Sequence, residues 1–381
     1  MMHRGKCLAA LAAIIIILAS PAIAGEIIVR TGESIQSAID LADPGEAILV
    51  QGGVFRECLN ISKPLTLVGI SRPQIDAGAM GSAVLINAAG VNVTGFDIRT
   101  VRRTGIYIRA DDNIVLNNSI SGCLDGIRLE HSKGNRIISN DINNNTNGMF
   151  LYSSDRNIIA FNSIRDNNID EQSDCGIALA YSRDNLIQYN DLKDNGDSSL
   201  SLRSSGNNSL RENRISFNDW YGISLSESSN YNLIEGNSVF QNKNSGIYLD
   251  SSRENIVRDN TAKDNSRGIY LSYDSNENLI KDNKLSSNDK GLHLANHSSN
   301  NTIENNTARE NGYGIFLSFS CGWNLLFSNH LIGNGQNACD LGQTNRWDNG
   351  SIGNYYSDLG RIFYIPGGSG VDSHPMAEPA T

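Results

Sequence analysis

The stretch GIYLSYDSNENLIKDNKLSSNDK, Gly268 to Lys290, decides the fold. Ile269 and Leu271 alternate with Tyr270 and Ser272, the period-2 pattern of a half-buried strand. A second short apolar pair follows at Leu279-Ile280, and a third strand centres on Leu285. Polar turn residues separate them, and no helical period runs through. The same pattern recurs about every 22 or 23 residues, starting at Gly105, Gly126, Gly148, Gly176, Ser199, Gly222, Gly246, Gly268, Gly291 and Gly314. One copy is too short to bury a core; stacked copies bury a continuous one. Three short strands per copy, paired with the copies above and below at about 4.8 Å, predict an all-β chain. The expected architecture is a single-stranded, right-handed parallel β-helix.

Three asparagine series keep the same register. They begin at Asn113, Asn118 and Asn145 and continue to Asn324, Asn329 and Asn334. Asn tolerates left-handed backbone at corners, and its amide both donates and accepts. The series therefore predict buried side-chain ladders at the coil corners. Polar binding surfaces and low-complexity disorder are the competing readings, and the regular apolar pairs argue against disorder.

The ends differ from the middle. Residues 1–24 read as a signal peptide, with Arg4 and Lys6 before an apolar run and Ala22-Ile23-Ala24 as a small-x-small cleavage site. That run is shorter than the ~20 residues a membrane span needs, so a secreted, periplasmic or cell-surface protein that does not span the membrane is expected. Residues 25–104 form the N-terminal cap and first coils, with a short helix around Ser34–Ala42 whose Ile35, Ala38, Ile39 and Ala42 share one face. Residues 105–337 are the regular coils. Residues 338–381, which gather Trp347, Tyr355, Tyr356, Phe363 and Tyr364, form an aromatic-rich C-terminal cap.

Of 31 basic residues, Arg4 and Lys6 leave with the signal, so 29 face 41 acidic ones and the net charge is about −12. That balance disfavours nucleic acid as a partner. Cys58, Cys123, Cys175, Cys321 and Cys339 have no CxxC spacing for zinc. Cys321 and Cys339 fall one coil apart, which admits a disulfide; buried apolar thiols are the alternative reading.

The opening IIVRTGESIQSAIDLADPGEAILVQGGVFRECLNISKPLTLVGI, Ile27 to Ile70, resembles the N-terminal segment of secreted β-helix proteins of the pectin-lyase-like superfamily. The coils resemble the NosD branch, whose repeats are of the carbohydrate-binding and sugar-hydrolysis type. The tail NRWDNGSIGNYYSDLG (Asn345–Gly360), followed by YIPGG and VDSHPM, is similar to the terminal motif of archaeal surface proteins in that branch. Relatives carry an Asp-Gly-rich, calcium-like loop after this motif, whereas Leu359-Gly360-Arg361-Ile362-Phe363 stands here, so no calcium role is expected from it. The NosD resemblance alone raises a copper-maturation role. The scattered His131, His293, His297, His330 and His374 form no copper-type cluster with Cys or Met. No cofactor is expected.

Two candidate sites remain. The residue two after each coil's glycine faces outward, and Tyr248, Tyr270, His293 and Phe316 then form a stripe of rings suited to a sugar's C–H face. Aromatic preference for strands is the plainer explanation. The second site is an insertion: Gly148 to Gly176 spans 28 residues, and the extra ones fall near Asp166, Asp170, Glu171 and Asp174. Such carboxylates suit glycoside hydrolysis or cation binding, with Arg156 and Arg183 in successive corners available to a uronate; a solvated acidic loop is the alternative. The favoured function is non-catalytic binding of a polysaccharide or cell-envelope glycan. A polysaccharide lyase or glycoside hydrolase with a non-standard site, and a structural envelope spacer, are the alternatives.

Overall fold

The computed structural model describes residues 25–168, 175–358 and 363–377; the signal-peptide reading of residues 1–24 lies outside them. Each coil contributes one strand to each of three long parallel sheets of 14, 13 and 14 strands. The coil read first from sequence places Arg267–Ser272 in the second sheet, Leu279–Lys281 in the first and Lys284–Ser286 in the third. Strand pairing follows the repeat. Ile269 and Leu271 lie opposite Ile247 and Leu249 of the coil before, and opposite Leu292 and Leu294 of the coil after. Inward residues of all three sheets fuse into one core, in which Ile247, Ile269, Ile280 and Leu292 are fully buried.

The asparagine ladders are present. The Asn278 carboxamide oxygen accepts from the backbone N–H and the Nδ2 of Asn255, at 2.9 and 3.1 Å. Its own Nδ2 donates to Asn301 Oδ1 and to the Ser252 carbonyl, both at 3.1 Å. All of the ladder amides except that of Asn334 are buried, where unmet donors and acceptors cost about 1–3 kcal/mol, so the ladder satisfies the corner and the core at once. The expected left-handed backbone sits elsewhere. The ladder asparagines are not left-handed; the residue just before each one is, as at Asn117 (φ 55°), Phe161 (φ 58°) and Glu277 (φ 61°). That residue turns the chain, and the asparagine side chain then ties the turn to its neighbour.

The recurring glycine has a steric cause. A Cβ at Gly268 would lie 2.5 Å from the Gly291 carbonyl oxygen and 3.1 Å from Asn288 Nδ2. The coils approach too closely there for a side chain. Ser199 is the exception in the register, and Asn195 adapts to it by donating to Ser199 Oγ at 3.2 Å.

The predicted helix forms over Ile35–Leu41, with Ser34 Oγ accepting from the Ser37 N–H as its cap. Its Ile35, Ala38 and Ile39 close the first end of the core. The coils start earlier than the regular repeat: Glu26–Val29 already pairs in parallel with Ala47–Val50. At the other end Trp347, Tyr356 and Ile365 are buried against the last coils. Cys321 and Cys339 are both free and buried, which corrects the disulfide reading in favour of buried thiols. Burial pushes the Cys321 thiol up to about 11.

Candidate functional site

The longer strands of the second sheet begin one residue before the glycine and turn alternate positions away from the apolar core: the residue before it, the residue two after it and the residue four after it. The second of these columns is the predicted stripe. Tyr248 and Tyr270 stack at 5.1 Å, Tyr270 and His293 at 4.7 Å, and Phe316 meets His293 edge-on at 5.2 Å. The rings come together at coil spacing as expected.

Their exposure does not match the expectation. Tyr248 is 8 % and His293 7 % exposed, while Tyr270 and Phe316 are half-buried. The rings lie outside the core but cover one another, so ring faces are spent inside the column. Tyr248 Oη donates to Asp250 Oδ2 at 3.2 Å, and Tyr270 Oη to Ser272 Oγ at 3.1 Å.

The column before the glycine is not apparent from the sequence, where alternation is followed only forward from Gly. It holds Tyr221, Arg267, Lys290 and Tyr313. Tyr221 stacks on Tyr248 at 4.6 Å and carries Trp220 edge-on at 5.9 Å. The Arg267 guanidinium lies 4.6 Å from the Tyr270 ring centre, and the Lys290 ammonium 5.2 Å from that of Phe316. Arg267 also donates to Asn244 Oδ1 at 2.8 Å and through Nε to His293 Nδ1 at 3.2 Å. His293 Nδ1 therefore accepts, so Nε2 bears the proton and donates to Ser318 Oγ at 2.9 Å. Burial first, then the Lys290 and Arg267 charges, drive the His293 pKa down to about 3. The imidazole is neutral and fixed in one tautomer at neutral pH.

Toward the N-terminus the outward column steps down to Ser224, Ser201 and Ala178 before Phe150 rises again, with Arg128 over its ring at 4.8 Å. Asp197 immediately precedes the Ser198–Arg203 strand that carries Ser201; burial raises its pKa, partly offset by a hydrogen bond from Ser198. The predicted acidic insertion feeds directly into the same sheet at Cys175, but Asp170, Glu171 and Asp174 lie outside the described residues. Asp166, just before them, is ion-paired with Arg165 at 3.2 Å. Arg183 lines a separate cavity of about 190 Å³ with Ser204, Asn207 and Tyr231, away from the ring column. Among the described residues no three His, Cys, Asp or Glu side chains converge on a common point, and no helix is long and apolar enough to cross a membrane.

Three matches to the model of the right handed beta helix region, over residues 82–170, 160–308 and 274–355, place this chain in that family. A comparison with curated proteins gives no sequence match. Solved structures share the fold. The Dettilon tailspike protein superposes with a TM-score of 0.64 at 18% identity, covering 81% of this chain and 68% of its own. The A-module of the mannuronan C-5 epimerase AlgE6 from Azotobacter vinelandii gives 0.55 at 15% identity, over 82% and 92%. DFA-IIIase from Arthrobacter chlorophenolicus A6 in complex with GF2 gives 0.56 at 15% identity, over 71% and 87%. At these identities the likeness establishes a shared right-handed β-helix, and function has to be argued from the site.

Proposed function

We propose that this chain is a secreted, periplasmic or cell-surface protein of the NosD-like type that binds a polysaccharide or envelope glycan, without turning it over, on the outer face of the second sheet. The carrying observation is the continuous band of Tyr221, Tyr248, Tyr270, His293 and Phe316 with Arg267 and Lys290 laid over its rings. The band presents hydroxyls, ring edges and cations at coil spacing, a pattern that fits a repeating, hydroxylated polymer. The fold is shared with a mannuronan epimerase, which supports carbohydrate as the ligand class. Binding is favoured over turnover because the band's titratable groups are tied up. Both His293 nitrogens are bonded, and burial with the nearby Asp250 charge pushes the Tyr248 phenol far above its ordinary pKa. A lyase or hydrolase reading would draw on the acidic insertion at Asp170, Glu171 and Asp174 and on Asp197, a carboxyl whose pKa is raised by burial.

The test is a glycan array probed with the chain from Gly25 onward, followed by titration of each hit. Trp220, half exposed and set against Tyr221, reports on the band through its fluorescence once Trp323 is replaced by Phe. Saturable quenching with no new reducing ends or unsaturated products is the expected result. Product formation that stops in Asp197→Asn would replace binding by catalysis. An array without hits would leave the spacer reading.

A further inference from the structure

Arg267 and Lys290 occupy paired positions on adjacent strands. Like charges placed directly opposite in a ladder destabilise it. Surrounding groups leave them unneutralised. The same column continues to Ser245 on one side and Tyr313 on the other, and the neighbouring outward column holds Tyr270, His293 and Phe316. Among the described residues no carboxylate lies within 4 Å of either cation, although many other cations of this chain are ion-paired. Asp289, the nearest acid on Lys290's own corner, accepts from Ser266 Oγ at 3.0 Å. Its attraction is outweighed at Lys290 by burial and by Arg267, which together hold the ammonium below its usual pKa. His293, which lies near both cations, is neutral and donates a hydrogen bond from Nε2 to Ser318. A half-buried positive doublet thus sits on a chain whose formal charge is −10.

We infer that Arg267 and Lys290 form an anion subsite within the ring band, built for an acidic group carried on a sugar ring, either a uronate carboxylate or a sulfate ester. This rests on the glycan reading of the same face and narrows it to anionic polymers. An incoming oxyanion accepts from the Lys290 ammonium and the Arg267 guanidinium, relieving their mutual repulsion, while the sugar lies against the Tyr270 and Phe316 edges. A carboxylate and a sulfate present the same charge and acceptor chemistry, so the assay must separate them.

The experiment titrates the full chain from Gly25 with four polymers: a polyuronate, the same polymer methyl-esterified, a sulfated glucan and the unsulfated glucan. Expected is at least tenfold tighter binding of one acidic polymer than of its neutral counterpart, with affinity falling as salt rises. Lys290→Gln should weaken the acidic polymer about tenfold, as loss of one charge-assisted contact does, and weaken the neutral polymer far less. Lys290→Arg should restore most of the loss. Thermal melting of Lys290→Gln in low salt should match or exceed the parent, since a repulsive neighbour has been removed, which separates lost binding from lost fold. Preference for the polyuronate identifies a carboxylate site and preference for the sulfated glucan a sulfate site. Equal affinity for acidic and neutral polymers, or indifference to Lys290→Gln in a folded protein, overturns the anion subsite and leaves the glycan reading standing. No binding to any polymer overturns both.

Discussion

His293 is the residue on which pH should act most directly. In the fold its nitrogens face the Arg267 guanidinium and the Ser318 hydroxyl, and the Lys290 ammonium is the other charge beside it. Its pKa is driven down to about 3, against 6.5 for an ordinary histidine. Below pH 6.5 the unfolded chain takes up a proton at this site that the folded chain refuses until about pH 3, so folding stability falls as pH falls across that window. The slope from this one group is at most about 1.4 kcal/mol per pH unit. His293→Gln keeps a polar group but cannot titrate. At pH 7 the variant should melt lower than the parent, having lost ring stacking on Tyr270, and the gap should narrow steadily between pH 6 and pH 4. Parallel melting curves down to pH 4 would mean that the folded protein accommodates imidazolium, and the buried, cation-flanked picture of His293 would be wrong. The buried carboxylates of the chain contribute equally to both proteins and cancel in the comparison.

At the scale of the strand and its corners, spacing alone was a good guide. The register of Ile247, Ile269 and Leu292 could be read directly, because a period-2 strand in a stacked coil has one inward face and a slip would turn it out. The ladder asparagines were legible for the same reason, being identical side chains at identical offsets. The left-handed corner residue was not, since Asp, Phe, Tyr, Glu and Trp all occupy it and no residue type marks it. The ring stripe was legible as a row. Its mutual burial was not, because strand alternation predicts direction and says nothing of what neighbouring columns bring over a ring. Arg267 and Tyr221 come from such a neighbouring column. The glycine has a test of its own. Alanine at Gly268 would place a methyl group 2.5 Å from the backbone oxygen of Gly291, which cannot rotate away. Overpacking of this kind costs roughly 1–3 kcal/mol, so Gly268→Ala should lower the melting temperature by several degrees. Ser199→Gly supplies the contrast: it takes away the CH2OH group that Asn195 has adapted to and restores the residue found in the other coils, and should change stability much less. Equal effects from the two substitutions would remove close coil approach as the reason for the repeating glycine.

A solenoid has no closed surface of its own, and its stability is carried by contacts between successive coils, so the two ends decide whether the stack stays single. Leu317, Leu326 and Leu331 belong to the last regular coils and are fully buried. The tail beyond these coils extends the ladders as well as the core. Asn345 Oδ1 accepts the Asn324 N–H at 3.1 Å, and Asn354 Oδ1 accepts that of Asn329 at 3.0 Å. These two asparagines are fixed in turn by acids. Asp340 accepts from Asn345 Nδ2 at 3.0 Å and from Trp347 Nε1 at 2.9 Å, and Asp372 accepts from the Asn354 N–H at 2.7 Å and the Tyr356 hydroxyl at 3.1 Å. The tail is therefore a terminal coil that ends in polar groups satisfied within itself. Ending the chain at Asn337 would leave the N–H groups of Asn324 and Asn329 without acceptors, bare the apolar end of the core and open the edges of three sheets. Open edges recruit other chains. The truncated protein should elute as oligomers whose size grows with concentration in light scattering, while the chain ending at Thr381 stays at one size over the same range. Trp347→Ala tests the same cap without shortening it, because it removes the side chain that plugs the core and leaves Asp340 with an unused buried oxygen. That variant should melt lower and associate on warming, and a truncated chain that remained monomeric with an unchanged melting temperature would show that the coils close themselves.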